Sequence, residues 1–171
     1  MIRRAAVLVA IAAVLTSCGI FGKDQVDLQP GLPDAFGARI TDGELRIWTG
    51  SRCMGAERAV VAFEPSHSAF ILVPASGART DIEYLTVGPN PGWEIAKPLP
   101  AGFEWRNERK LYLTQIDAGS GVAADIETIV RDSAAHPADT YWFQGVGWLN
   151  PADVAARDGK TFRSFCSPHP L

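Results

Sequence analysis

The sequence predicts a mainly β domain: an antiparallel sandwich or open barrel, with an immunoglobulin-like sandwich as one candidate and one or two short helices. An α+β fold is the alternative. Three observations carry this reading. Apolar and polar residues alternate with a period of two in several short stretches. Clusters of Gly, Pro, Asn and Asp break the chain between them. Only two stretches show helical spacing or helix caps, and no internal repeat is visible.

The elements follow in order from Phe36. Asp42-Gly43 splits GARITDGELRIW into two strands, because both turn positions tolerate positive φ. In the second strand Leu45 and Ile47 alternate with Glu44, Arg46 and Trp48. TGSRCMG, carrying Cys53, reads as a turn. AVVAFE (59–64) and AFILVP (69–74) read as strands joined by PSHS. TDIEYLTVG (80–88) alternates again, which predicts Ile82 and Tyr84 on one face. The stretch 88–110 is rich in Pro and Gly and reads as irregular loop with a short strand around Trp93. LYLTQI (111–116) is a further strand.

The period then changes. Val122, Ile126, Ile129, Val130 and Ala134 share one helical face, with Ser120 or Asp125 to cap the start and His136-Pro137 to end it. The β-branched core of this stretch keeps a strand open as the alternative. DTYWFQG (139–145) reads as a strand and GVGW as a turn or continuation. Asn150 as N-cap, Pro151 at the first helical position and Gly159 after the end define a short helix. KTFRSFC (160–166) is the last strand, with Phe162, Ser164 and Cys166 on one face.

Ahead of the domain stands a different kind of sequence. Arg3 and Arg4 precede an apolar run, Ala5 to Leu15, of 11 residues. A helix crossing the bilayer takes about 20 residues, so the run fits the apolar region of a secretory signal instead. Leu15-Thr16-Ser17-Cys18 resembles the lipobox of bacterial lipoproteins. The resemblance covers only the first 18 residues. It implies a signal peptide over 1–17 and a diacylglycerol on the Cys18 thiol. It also implies an extracytoplasmic protein, lipid-anchored to the bacterial cell membrane. Two acyl chains hold where one is marginal. Residues 18–33 then read as a lipidated tether and 34–171 as a single extracytoplasmic domain.

With Cys18 carrying lipid, Cys53 and Cys166 remain. Outside the cytoplasm two such thiols tend to pair as a disulfide; two separate buried thiols are the alternative. There is no Cys-x-x-Cys and no pair of His at ligand spacing, so no metal is expected. The formal charge of −3, more negative once Arg3 and Arg4 are removed, argues against nucleic acid.

Motifs with catalytic associations are weak. Gly119-Ser120-Gly121-Val122-Ala123-Ala124 has the spacing of a dinucleotide fingerprint, without the second βαβ unit. Gly159-Lys160-Thr161 lacks the Gly a phosphate loop needs before it, since Val154 stands there. Ser66-His67-Ser68, with Asp81 or Glu64 to orient the imidazole, has no nucleophile elbow. Glu94, Glu104 and Glu108 lie near Trp93 and Trp105, a composition that suits a glycosidase or a solvated loop.

The aromatics stand out more. Trp48 lies opposite Leu45 and Ile47 in the pleat, so it faces solvent or a second layer. Trp142 lies opposite Tyr141 and Phe143, so one face of that strand packs the core while the other packs a lid or binds something. The expectation is a membrane-anchored cell-envelope lipoprotein without enzymatic activity, a binding or structural domain with no cofactor beyond its acyl chains. Its partner would be an envelope protein, a glycan or a lipid, met through edge strands and the 88–110 loop. The alternatives are an envelope hydrolase or a glycan-binding module using Trp93, Trp105 and Trp148.

Overall fold

The computed structural model describes residues 31–114 and 121–167. Residues 1–30, which hold the expected signal peptide, Cys18 and most of the expected tether, lie outside the described residues, as do Gly119, Ser120 and His169.

Two five-stranded antiparallel sheets pack face to face as an open sandwich. The first contains β2 (Gly37–Thr41), β3 (Glu44–Ala56), β6 (Thr80–Thr86), β10 (Tyr141–Phe143) and β11 (Gly147–Leu149), in the order β11-β10-β2-β3-β6. The second contains β4 (Ala59–Glu64), β5 (Ala69–Pro74), β7 (Trp93–Lys97), β8 (Lys110–Thr114) and β9 (Val122–Asp125), in the order β7-β5-β4-β8-β9. A short parallel pair joins β1 (Asp34–Ala35) to β12 (Arg163–Ser164). Two helices complete the described fold: α1 (Ile126–Asp132) and α2 (Pro151–Arg157).

The main core lies between the sheets. Leu45, Ile47 and Cys53 face Val61, Phe63, Leu72, Leu111 and Leu113 across it, and Ile126 and Ile129 close one side. The alternation read in ELRIW and AVVAFE is the cause: every second side chain leaves water. A second, smaller core lies on the outer face of the first sheet. There Trp48, Phe143 and Leu149 pack against Ala35, Val154 of α2 and Phe162. Trp48 therefore meets a second layer. Tyr141 and Phe143 join this outer cluster while Trp142 packs on the main core, as their alternation requires.

The α2 lid forms as its sequence dictates. Asn150 Oδ1 accepts from Asp153 N–H at 2.9 Å, and Asp153 Oδ2 accepts from Asn150 N–H at 3.2 Å. This capping box opens the helix, and Gly159 at φ 73° follows its end.

Four local expectations are corrected. TGSRCMG is no turn: β3 runs through it to Ala56, with shifts of register on either side of Cys53. From Trp48 to Cys53, five steps on β3 face only two on β6, from Tyr84 to Ile82. This irregularity re-aims the side chains. Ile82 enters the core beside Cys53, whereas Tyr84, expected on the same face, is 51% exposed. Second, the stretch 122–134 is not one helix. Val122–Asp125 pairs with β8 as an edge strand, and α1 starts at Ile126, buried through Ile126 and Ile129 while Val130 is exposed. Asp125 is the N-cap by position, but its side chain makes no cap hydrogen bond. Third, GVGW supplies β11, which forms a hairpin with β10. Fourth, the last strand is only Arg163–Ser164. Lys160 and Thr161 are held in a turn by hydrogen bonds to Arg157 O, so Phe162 joins the outer cluster while Cys166 packs on the main core.

Cys53 and Cys166 form a disulfide, with 5.0 Å between their Cα atoms. Among the described residues no helix is long and apolar enough to cross a membrane.

Candidate functional site: an aromatic and arginine ledge

The outer face of the first sheet is only half covered by the lid. Trp48 is buried, with its indole parallel to the Tyr84 ring: the centroids are 5.9 Å apart and the planes differ by 9°. Tyr141 leans on both, with centroids 5.5 Å from Trp48 and 6.1 Å from Tyr84. Gly37 permits this packing. A Cβ there would lie 2.7 Å from Phe143 Cε2 and 2.7 Å from Tyr141 Cβ, so only a residue without a side chain lets the rings cross β2.

Two arginines adjoin the rings. Arg39 of β2 and Arg46 of β3 are direct cross-strand partners, so they share this face. Arg39 is 5% exposed. Its Nη1 donates to Pro137 O at 2.5 Å and Thr140 O at 2.6 Å, its Nε donates to Thr41 Oγ1, and its guanidinium lies 5.9 Å from the Tyr141 centroid. These acceptors are neutral. Arg46 is exposed. Neither arginine forms an ion pair with any described carboxylate, including Glu44 on the same face of β3. Glu83 bonds the Trp48 indole N–H at 3.4 Å and lies 3.8 Å from Arg52. Like charges directly opposite in a sheet repel, so this pair is a positive spot on a protein of net charge −3.

Burial holds the phenols of Tyr84 and Tyr141 above their ordinary range; Glu83 adds to the shift at Tyr84, and Arg39 and Arg46 oppose it at Tyr141. Both phenols therefore stay neutral, and can donate a hydrogen bond, at physiological pH.

A second feature is an open groove of about 850 Å³ along β8, β9 and α1, lined by both signs of charge. Its three carboxylates and Arg131 are held by neighbours, whereas Arg106, Arg109 and Lys110 form no ion pair with any described carboxylate. Arg131 pairs with Asp132 at 2.7 Å and Glu127 at 3.7 Å, Glu108 accepts from Ser66 N–H, and Asp125 is held by Gln144. It reads as a solvated face.

The ligand-binding and catalytic candidates named from the sequence are not part of the ledge. Trp93 on β7 is 9% exposed and belongs to the main core. Trp105 is half-buried in the short 3-10 turn Trp105–Asn107, under the Arg106 guanidinium. Trp148 on β11 is half-buried and stacked against His136 at 4.4 Å. His67 is exposed in the β4–β5 turn; Asp81 accepts from Gly55 N–H, and Glu64 accepts from the Tyr112 hydroxyl. That last bond holds the Tyr112 phenol above its ordinary range. Glu94 and Glu104 are exposed. Gly121 precedes an edge strand rather than a helix, so the Gly-Ser-Gly stretch lacks the setting that a dinucleotide turn requires. Among the described residues no group of three His, Cys, Asp or Glu side chains is placed to hold a metal.

Sequence reading missed the ledge because Tyr84 was assigned to the wrong face. The signal within reach was the parity of Trp48, Arg46 and Tyr141, which all leave the core side of their strands. No protein-family model matches this chain, and neither a curated protein nor a solved structure matches it significantly.

Proposed function

We propose that this protein is a lipid-anchored, extracytoplasmic binding domain whose contact surface is the ledge of Arg46, Tyr84 and Tyr141. The observation that carries the anchor is how the thiols are allotted. The disulfide takes Cys53 and Cys166. The third cysteine, Cys18, is the one in the Leu-Thr-Ser-Cys sequence that resembles a lipobox. A disulfide is at home outside the cytoplasm, which is where a lipidated Cys18 would hold the domain. The binding role is supported by the half-exposed ring stack beside two arginines that lack carboxylate partners, since exposed aromatic and arginine side chains are enriched where proteins meet ligands.

Metabolic labelling with a fatty-acid probe tests the anchor. The wild-type protein is expected to take up label and sediment with membranes. The Cys18→Ala variant is expected to do neither. Equal labelling of the two proteins defeats the assignment.

A further inference from the structure

We propose that the ledge binds an acidic sugar, its ring lying on Tyr84 and its carboxylate on Arg46. The inference rests on the binding role just proposed and names the class of ligand.

The ring platform is already built. Tyr84 is 51% exposed, and its ring lies parallel to the buried indole of its cross-strand partner Trp48. A ring held by such packing loses less entropy when a ligand packs on it than a free side chain would. A pyranose offers a patch of C–H groups to such a face and hydroxyls to its surroundings. The neutral phenol of Tyr141, 6.1 Å from Tyr84 between ring centres, supplies a hydrogen-bond donor at the rim.

The charge of the ligand follows from the arginines. Arg46 lies two residue pairs along from the Trp48–Tyr84 pair, on the same face of the sheet. Its cross-strand neighbour is the buried cation Arg39. The hydrogen bonds of Arg39 run to neutral oxygens, which leave its charge uncancelled. An anion seated on Arg46 would relieve the repulsion between the two guanidiniums. A carboxylate suits the planar fork of Arg46. A neutral sugar would hydrogen-bond Arg46 without offsetting the charge of this pair, and a bare anion would leave the rings unused.

The test uses the whole protein in detergent, titrated with oligogalacturonate while tryptophan fluorescence is followed. Neutral galacto-oligosaccharide of the same length, inorganic phosphate and adenosine monophosphate are titrated in parallel. Oligogalacturonate is expected to bind, more weakly as salt rises. The neutral oligosaccharide is expected to bind at least about tenfold more weakly. Arg46→Ala and Tyr84→Ala are each expected to lose about tenfold. Arg46 is exposed, so the urea midpoint of its variant should stay close to wild type, whereas Tyr84→Ala also loses ring packing on Trp48 and Tyr141 and should unfold somewhat earlier; Arg46→Lys, expected to bind at an intermediate level, checks the role of the fork. Equal binding of the neutral oligosaccharide overturns the proposal, as does full binding by Arg46→Ala. Phosphate binding as tight as oligogalacturonate would reduce the site to an ion site, tighter adenosine monophosphate would assign it to a nucleotide, and no binding by any probe would end it. The anchor is scored separately, by acylation of the same sample: an acylated protein blind to uronate sinks only this inference, and an unacylated uronate binder sinks only the anchor.

Discussion

Cys53 and Cys166 are 113 residues apart in the chain, yet their Cα atoms lie 5.0 Å apart and their sulfurs are bonded. Cys53 is 2% exposed and belongs to the main core, while Cys166 follows the closing strand. Replacing both by Ala is expected to lower unfolding stability by about 2–5 kcal/mol, because the open chain regains the entropy of a long loop. Urea denaturation of the double variant measures it, and intact mass before and after reduction confirms the bond. A double variant as stable as wild type would show that the cross-link contributes nothing.

Ser133 joins the end of α1 to the first sheet. Its hydroxyl donates to Ile129 O at 2.5 Å and accepts from Ile40 N–H at 3.0 Å, and the residue is 3% exposed. Ser133→Ala leaves a half-buried backbone N–H without its acceptor, at a cost of about 1 kcal/mol. Hydrogen exchange at Ile40 is the direct readout. Unchanged protection there would mean that another acceptor takes over.

Gly37 sits beneath two rings. Gly37→Ala places a methyl 2.7 Å from carbons of Phe143 and Tyr141, and overpacking of this kind costs about 1–3 kcal/mol. Thermal unfolding should show the loss, and near-ultraviolet circular dichroism should show the disturbed Trp48–Tyr141 packing. A variant matching wild type in both would mean that the outer cluster has slack that the geometry does not suggest.

Asp158 ties α2 to the closing strand. Burial alone would raise its carboxyl, but hydrogen bonds from the Ser167 hydroxyl and the Ser164 backbone N–H outweigh it and hold the group below its ordinary value. One of these, from Ser164 N–H, measures 2.8 Å. A carboxyl depressed in the folded state stabilises the protein above its unfolded pKa of about 4, and the contribution is lost as pH falls through the lower folded value. Asp132, held down chiefly by its bonds to Arg131, acts with the same sign. Stability should therefore drop below about pH 4, and less steeply in Asp158→Asn. Parallel slopes for the two proteins would remove Asp158 from the account.

Much of this architecture was legible because alternation is a direct consequence of the pleat. Leu45 and Ile47, Val61 and Phe63, and Phe70 and Leu72 all face inward as their spacing requires. So was α2, because Asn150, Pro151 and Gly159 each have one strong positional use. What was not legible depends on contacts between distant segments. The irregular pairing of Trp48 to Cys53 with Tyr84 to Ile82 exists only once β3 meets β6, and it alone decides that Tyr84 faces outward. Val122–Asp125 has the spacing of a helix, but β8 offers it a sheet edge, and pairing outweighs local preference. The arginine pair, by contrast, was within reach of the sequence: Arg39 and Arg46 are seven positions apart, and the Asp42-Gly43 turn read there sets them side by side.

The short β1–β12 pair has a mechanical consequence. Pro33 O accepts from Arg163 N–H at 2.9 Å, so the chain enters the domain alongside its closing strand. Traction on residues before Leu32 would peel β1 first and then β2, and it would stop at Cys53, where a covalent ring closes through Cys166. The ledge straddles that stop. Arg39 and Arg46 lie on the strippable side, and Tyr84 and Tyr141 lie within the ring. A pull strong enough to unravel β2 and the first part of β3 would thus take the ledge apart while the remainder of the domain stays cross-linked and able to refold.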